Sequence, residues 1–162
     1  EMCIRDRSYD TLSNYLGYIE EAFLAYKTER YNIKGKDVVA GNCKYYLNDL
    51  SFKNFLYPGF AYGVGYLLEN AVYLELRRLG YIVYTGSFRD KEVDFVAMKD
   101  DRVIYLQATY MLETAQTMER EYAPLLTIGD NYEKYVVSMD EVQFPSNEGV
   151  RHIQAWNLKE IL

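Results

Sequence analysis

Three stretches of this chain carry apolar residues at the 3.6-residue period of a helix, and the runs between them read as strands. In residues 11–26, Leu12, Tyr15, Leu16, Ile19, Phe23 and Leu24 make the apolar face of a core-facing helix, with Asp10 as its N-cap. The period then breaks into residues 30–33, a turn at Gly35 and residues 37–40, which predicts a short hairpin. Residues 44–49 predict a buried strand, and residues 50–56 a short helix that Pro58 and Gly59 stop. A long helix followed by a hairpin is the tail of a winged-helix pattern, here without the helices that precede it.

After Gly59 the pattern changes. Residues 64–79 predict a helix with Leu67, Leu68, Ala71, Val72, Leu76 and Leu79 on its apolar face, Arg77 and Arg78 in its last turn and Gly80 as its stop. Residues 81–85, 92–98 and 103–110 predict an antiparallel meander, with turns at 87–90 and 99–101. A helix over 114–126, strands over 135–139 and 150–155 and a closing helical turn at 157–162 complete a mixed α/β sandwich. Alternation through Val93, Asp94, Phe95, Val96 and Ala97 places Asp94 and Val96 on one face and Phe95 on the other.

Composition narrows the picture. A chain of 162 residues, 49% of them apolar, buries one core with room for a small appendage. No apolar run reaches the ~18–20 residues of a membrane span, so no membrane partner is expected. Cys3 and Cys43 form neither a CxxC nor a disulfide framework, which fits a reducing cytoplasm, and residues 1–8 are too charged for a secretory signal. The net charge of −6 lies wholly in residues 59–162, because residues 1–58 carry eight basic and eight acidic side chains. Such a field does not gather phosphates by itself. Arg30, Lys34, Lys36, Lys44 and Lys53, interleaved with Tyr31, Tyr45 and Tyr46, form a local exception whose plainer reading is a solvated turn region.

Candidate chemistry gathers at Glu69, Asp94 and Gln107. Two carboxylates and an amide oxygen, from a helix and two strands, could cradle one hard divalent cation such as Mg²⁺. Where a metal-dependent nuclease core keeps its lysine, this chain has Thr109; Lys91 and Lys99 are the alternatives, both beside turns. The bland reading turns Glu69 to solvent, pairs Asp94 with Lys91, Arg77 or a backbone donor, and leaves Glu75 and Glu92 as surface charges. His152 is the sole histidine, so neither a His-based metal cluster nor a Ser-His-Asp triad is expected, and it reads as structural. Gly63-Val64-Gly65 has no strand before it, so helix entry explains it better than a phosphate cradle.

Taken together, Leu67–Leu76, Lys91–Val96, Tyr105–Tyr110 and Met118–Glu121 resemble the C-terminal domain of a bacterial and archaeal family of AAA-type ATPases. Tyr15–Leu24 and Lys44–Asp49 resemble the stretch that joins that family's ATPase to this domain, and the likeness runs from about Ser8 to Leu162. The resemblance implies a restriction-endonuclease-like PD-(D/E)xK fold: an α/β mixed sheet flanked by helices, preceded by a partial winged-helix-like helix and hairpin. It divides the chain into a non-native leader at 1–7, similar to a translated sequencing-adapter remnant, a linker segment at 8–58 and a nuclease-like domain at 59–162. It implies Glu69, Asp94 and Gln107 as catalytic and metal-holding residues, Mg²⁺ as cofactor, DNA as a partner and Arg120 as a helper. No GxxxxGK[ST] loop occurs, so ATP would be held only by an upstream ATPase domain, itself a partner. Neutral Gln107 weakens a metal site, and Thr109 cannot act as a cation beside the attacking water. The expected function is therefore a non-catalytic or weakly active nucleic-acid or partner-binding module, with a Mg²⁺-dependent endonuclease and a pure protein-interaction domain as alternatives.

Overall fold

The computed structural model describes residues 9–56, 58–59 and 63–162, so the leader expected at 1–7 lies outside the described residues. Strands β1 (Ala25–Asn32), β2 (Asp37–Leu47), β3 (Ile82–Phe88), β4 (Lys91–Lys99), β5 (Arg102–Ala108), β6 (Glu133–Ser138) and β7 (Val150–Gln154) form one mixed sheet in the order β2-β1-β3-β4-β5-β6-β7. Helices α1 (Tyr9–Glu21), α2 (Ser51–Leu56), α3 (Val64–Arg78) and α4 (Ala115–Leu126) accompany it, with a 3-10 turn at Ala155–Glu160. This is the α/β mixed sheet flanked by helices that the sequence predicts. The antiparallel meander β3-β4-β5 forms, and the α4 crossover returns β6 parallel to β5.

The hairpin of the first segment is part of that sheet. β1 pairs antiparallel with β2 and lies parallel to β3, with Arg30 opposite Thr85. The hairpin arm at 37–40 and the strand at 44–49 are one eleven-residue strand. The boundary expected at residue 58 thus falls between strands of a single sheet.

Helix α1 departs from expectation. It ends at Glu21, Asp10 lies in its first turn, and Phe23 adopts a left-handed φ of 55° that stops it. Leu12, Ile19, Phe23 and Leu24 are exposed, so the face read as core-facing is not buried among the described residues. The helical period ran on through residues 23 and 24, which are the turn into β1, where Ala25 and Thr28 point inward.

Two apolar layers sandwich the sheet. On one side Leu68, Val72, Tyr73 and Leu76 of α3 pack against Phe95, Ala97, Leu106 and Val137. On the other, Tyr122 and Leu125 of α4 pack against Val93, Val96, Tyr105 and Val136. Each fully buried large side chain contributes about 1.5–3 kcal/mol relative to exposure.

A bulge interrupts the alternation of β4. Tyr84 pairs with Val96 but Gly86 pairs with Val93, so Asp94 and Phe95 together face Thr85. Val93 and Val96 therefore share the α4 side while Phe95 packs on the α3 side. The expectation that Asp94 shares a face with Val96 is corrected by that extra residue, which re-aims the Asp94 carboxylate.

Candidate functional site

Strands β4 and β5 pair from Lys99 and Arg102 up to Phe95 and Leu106, then part. Side chains take over from the ladder at this fork. The Asp94 N–H donates to Gln107 Oε1 at 3.3 Å, and the Ala108 N–H donates to Asp94 Oδ2 at 2.9 Å. Both predicted strand residues thus spend an oxygen on backbone groups that the fork would otherwise strand.

Helix α3 and strand β2 close the site from the side. Tyr46, stacked on Tyr73 with ring centroids 4.2 Å apart, donates its hydroxyl to Glu69 Oε1 at 2.7 Å. Lys44 Nζ donates to the same oxygen at 2.9 Å, meets Glu92 Oε1 at 2.9 Å and lies 3.5 Å from Asp94 Oδ1. Arg30 holds the other Glu92 oxygen at 2.7 Å. The neighbouring Asn70, wholly buried, donates to the Leu47 carbonyl and accepts from the Leu47 N–H, clamping α3 to β2.

Burial pushes the Asp94 carboxyl up to about 7, the Glu69 charge adds to this, and Lys44 with the Ala108 N–H opposes it. Burial works against the Lys44 charge, but Asp94, Glu92 and Glu69 outweigh it and hold its pKa above the usual lysine value. Burial and the nearby Glu69 raise the Tyr46 hydroxyl far above the ordinary tyrosine range, so it stays a donor.

Of the predicted trio, Glu69 and Asp94 are brought together through Lys44, and Glu69 does not turn to solvent. Gln107 joins them only through the Asp94 backbone. Glu92, read as a surface charge, belongs to the cluster, whereas Glu75 pairs with Arg78 on the surface. Neither alternative lysine is here, since Lys91 reaches the Ala123 carbonyl and Lys99 that of Leu79. Thr109 is buried, with its N–H on the Val137 carbonyl. Arg77 stands over the Tyr26 ring, and Arg120 forks onto Glu121. Sequence reasoning missed Lys44, Tyr46, Glu92 and Arg30. One signal was readable: Lys44 and Tyr46 lie two apart on a strand, so a lysine shares the face of a core tyrosine.

The arrangement does not fit the expected Mg²⁺. Among the described residues no group of three or more His, Cys, Asp or Glu side chains is disposed to hold a metal ion. The Gln107 oxygen and Asp94 Oδ2 are turned to backbone donors, Glu92 Oε2 is held by Arg30, and one oxygen each of Glu69, Glu92 and Asp94 converges on an ammonium.

A second polar cluster brings a serine, the sole histidine and an aspartate into contact. Ser138 Oγ lies 2.8 Å from His152 Nε2 and 2.7 Å from Asp140 Oδ2, and the Phe144 N–H donates to His152 Nδ1 at 3.2 Å. That last bond leaves Nε2 as the protonated nitrogen, so His152 donates to Ser138 and Ser138 donates to Asp140. The serine proton points away from the histidine, the reverse of a nucleophile and its base. All three residues are buried, and both ring nitrogens of His152 are engaged, which fits the structural reading of it.

No known family profile matches this chain, and no solved structure does. An uncharacterized protein of Haemophilus influenzae is 37% identical over 131 residues, covering 81% of this chain and 32% of the relative. An uncharacterized protein of Methanocaldococcus jannaschii is 31% identical over 118 residues, covering 70% of this chain and 25% of the relative. The chain therefore spans a third or less of the curated relatives it matches. No helix among the described residues is long and apolar enough to cross a membrane.

Proposed function

We propose that this chain is the nuclease-like module of a cytoplasmic AAA-type ATPase and that it binds a partner or nucleic acid without hydrolysing it. The observation that carries this reading is the internal engagement of the fork: Lys44 meets an oxygen of each of Glu69, Glu92 and Asp94, Arg30 takes the second Glu92 oxygen, and Tyr46 donates to the Glu69 oxygen that Lys44 holds. A hydrolytic site needs ligand oxygens free for a metal and a water beside it. The length of the relatives supports a larger parent protein, because most of each lies outside the matched region.

Arg30 and Lys44, two of the five basic residues of the local basic stretch, are spent on carboxylates of this chain. That favours a protein partner over DNA. One observation favours the second reading, a Mg²⁺-dependent endonuclease: Lys44 brings to Asp94 the lysine that Thr109 lacks.

Incubating supercoiled plasmid with the protein and Mg²⁺ or Mn²⁺ separates the two. Neither wild type nor Asp94→Ala is expected to nick it; nicking by wild type that Asp94→Ala abolishes overturns the reading. Binding to a DNA duplex at low and moderate salt then tests the partner, since phosphate contacts must weaken as salt rises.

A further inference from the structure

We propose that Lys44 is the resident cation of the fork, a tethered ammonium standing where Glu69, Glu92 and Asp94 would otherwise gather a divalent metal. The inference rests on the non-hydrolytic reading above and gives it a cause.

An ammonium offers three N–H donors and no acceptor. Lys44 has three carboxylate neighbours to receive them, from α3 and from two positions of β4, at 2.9, 2.9 and 3.5 Å. Charge is largely offset as well. Lys44 and Arg30 supply two positive charges against three carboxylates, and the third, Asp94, is buried and accepts the Ala108 N–H at Oδ2. At most one negative charge is left for a +2 ion.

A metal entering beside the lysine would be repelled. At about 4 Å from an ammonium, even with the full screening of water, a +2 ion loses roughly thirtyfold in affinity. Displacing the lysine outward is opposed by its strand, because Tyr46 is stacked in the core and Leu47 is clamped twice by Asn70. The neutral Gln107 is consistent with this: with a cation already built in, the site needs no further acid at that position.

The test is Mn²⁺ binding, read from the loss of the free-ion electron paramagnetic resonance signal, on wild type, Lys44→Ala, Asp94→Asn and the double variant. Wild type is expected to bind no Mn²⁺ that Asp94→Asn removes. Lys44→Ala is expected to bind one ion at least about tenfold tighter than wild type, and the double variant to lose it. Two results overturn the proposal: an Asp94-dependent ion in wild type, or a folded Lys44→Ala that binds no tighter than wild type. Should Lys44→Ala fail to unfold cooperatively in urea, Lys44→Met keeps the stem and removes the charge, and the wild-type titration stands by itself. Plasmid nicking speaks to the non-hydrolytic reading alone, so the two can fail separately.

Discussion

Replacing Asn70 by alanine tests whether the clamp between α3 and β2 holds the site together. Asn70 has no exposed surface, and its amide makes two bonds to one residue: Nδ2 donates to the Leu47 carbonyl at 2.9 Å and Oδ1 accepts from the Leu47 N–H at 2.8 Å. Alanine leaves both backbone groups without a partner. Each buried orphan costs about 1–3 kcal/mol, so the expected loss is about 2–4 kcal/mol after partial relaxation. For a chain of this length that corresponds to a fall of roughly 5–15 °C in melting temperature. Asn70→Asp is no rescue, because a carboxylate keeps the acceptor but faces the Leu47 carbonyl with a second oxygen. Urea unfolding measures the loss, and hydrogen exchange at the Leu47 amide reports the clamp directly. A loss below about 1 kcal/mol, with the Leu47 amide still protected, refutes the reasoning.

The pH dependence of Asp94 carries a second prediction. Its folded-state pKa of about 7 stands well above the value near 3.9 of an unfolded chain. The folded state holds the proton more tightly, so this contribution to stability is present below about pH 4 and is lost as pH rises through 7. Urea unfolding from about pH 5 to 8 is expected to show wild type losing stability relative to Asp94→Asn; parallel profiles would reject the assignment. At the bulge, a Cβ on Gly86 would lie 2.8 Å from Val96 Cγ2 and 3.0 Å from both Ile33 Cδ1 and Val93 Cβ. Gly86→Ala is expected to cost about 1–3 kcal/mol by overpacking, and an unchanged urea midpoint would contradict the close approach.

Much of the sheet was legible because its central strands are buried on both faces and bounded by turns. β3, β4 and β5 follow apolar runs, and Arg89 and Asp100 take left-handed φ at the tips between them. Thr114, where the α4 pattern begins, caps that helix by accepting from the Thr117 N–H. Misreadings arose where local pattern and tertiary contact disagree. The α1 period ran past Glu21 because Phe23 and Leu24 continue it in sequence, although they lie in a turn. The bulge at Asp94 was invisible because alternation presumes one residue opposite one, and Thr85 faces two. Glu69 and Asp94 were legible as carboxylates set among apolar neighbours. Lys44 was not: nothing local says that a lysine beside two tyrosines will cross to a helix and a strand far along the chain.

That distance bears on what counts as a domain here. Lys44, Tyr46 and Arg30 belong to the segment before residue 58, while Glu69, Glu92 and Asp94 belong to the segment after it. Division at that boundary would leave three acidic groups, one of them deeply buried, without their counter-charges. Removing one partner of a fully buried pair costs about 3–5 kcal/mol, and these part-buried pairs cost a fraction of that, still a sizeable share of the 5–15 kcal/mol that holds a domain folded. It would also strip β1 from β3 and expose the inward faces of Tyr73 and Phe95, against which Tyr46 packs. The first segment is therefore structurally continuous with the fold it precedes, and the charge that sets the character of the fork comes from it.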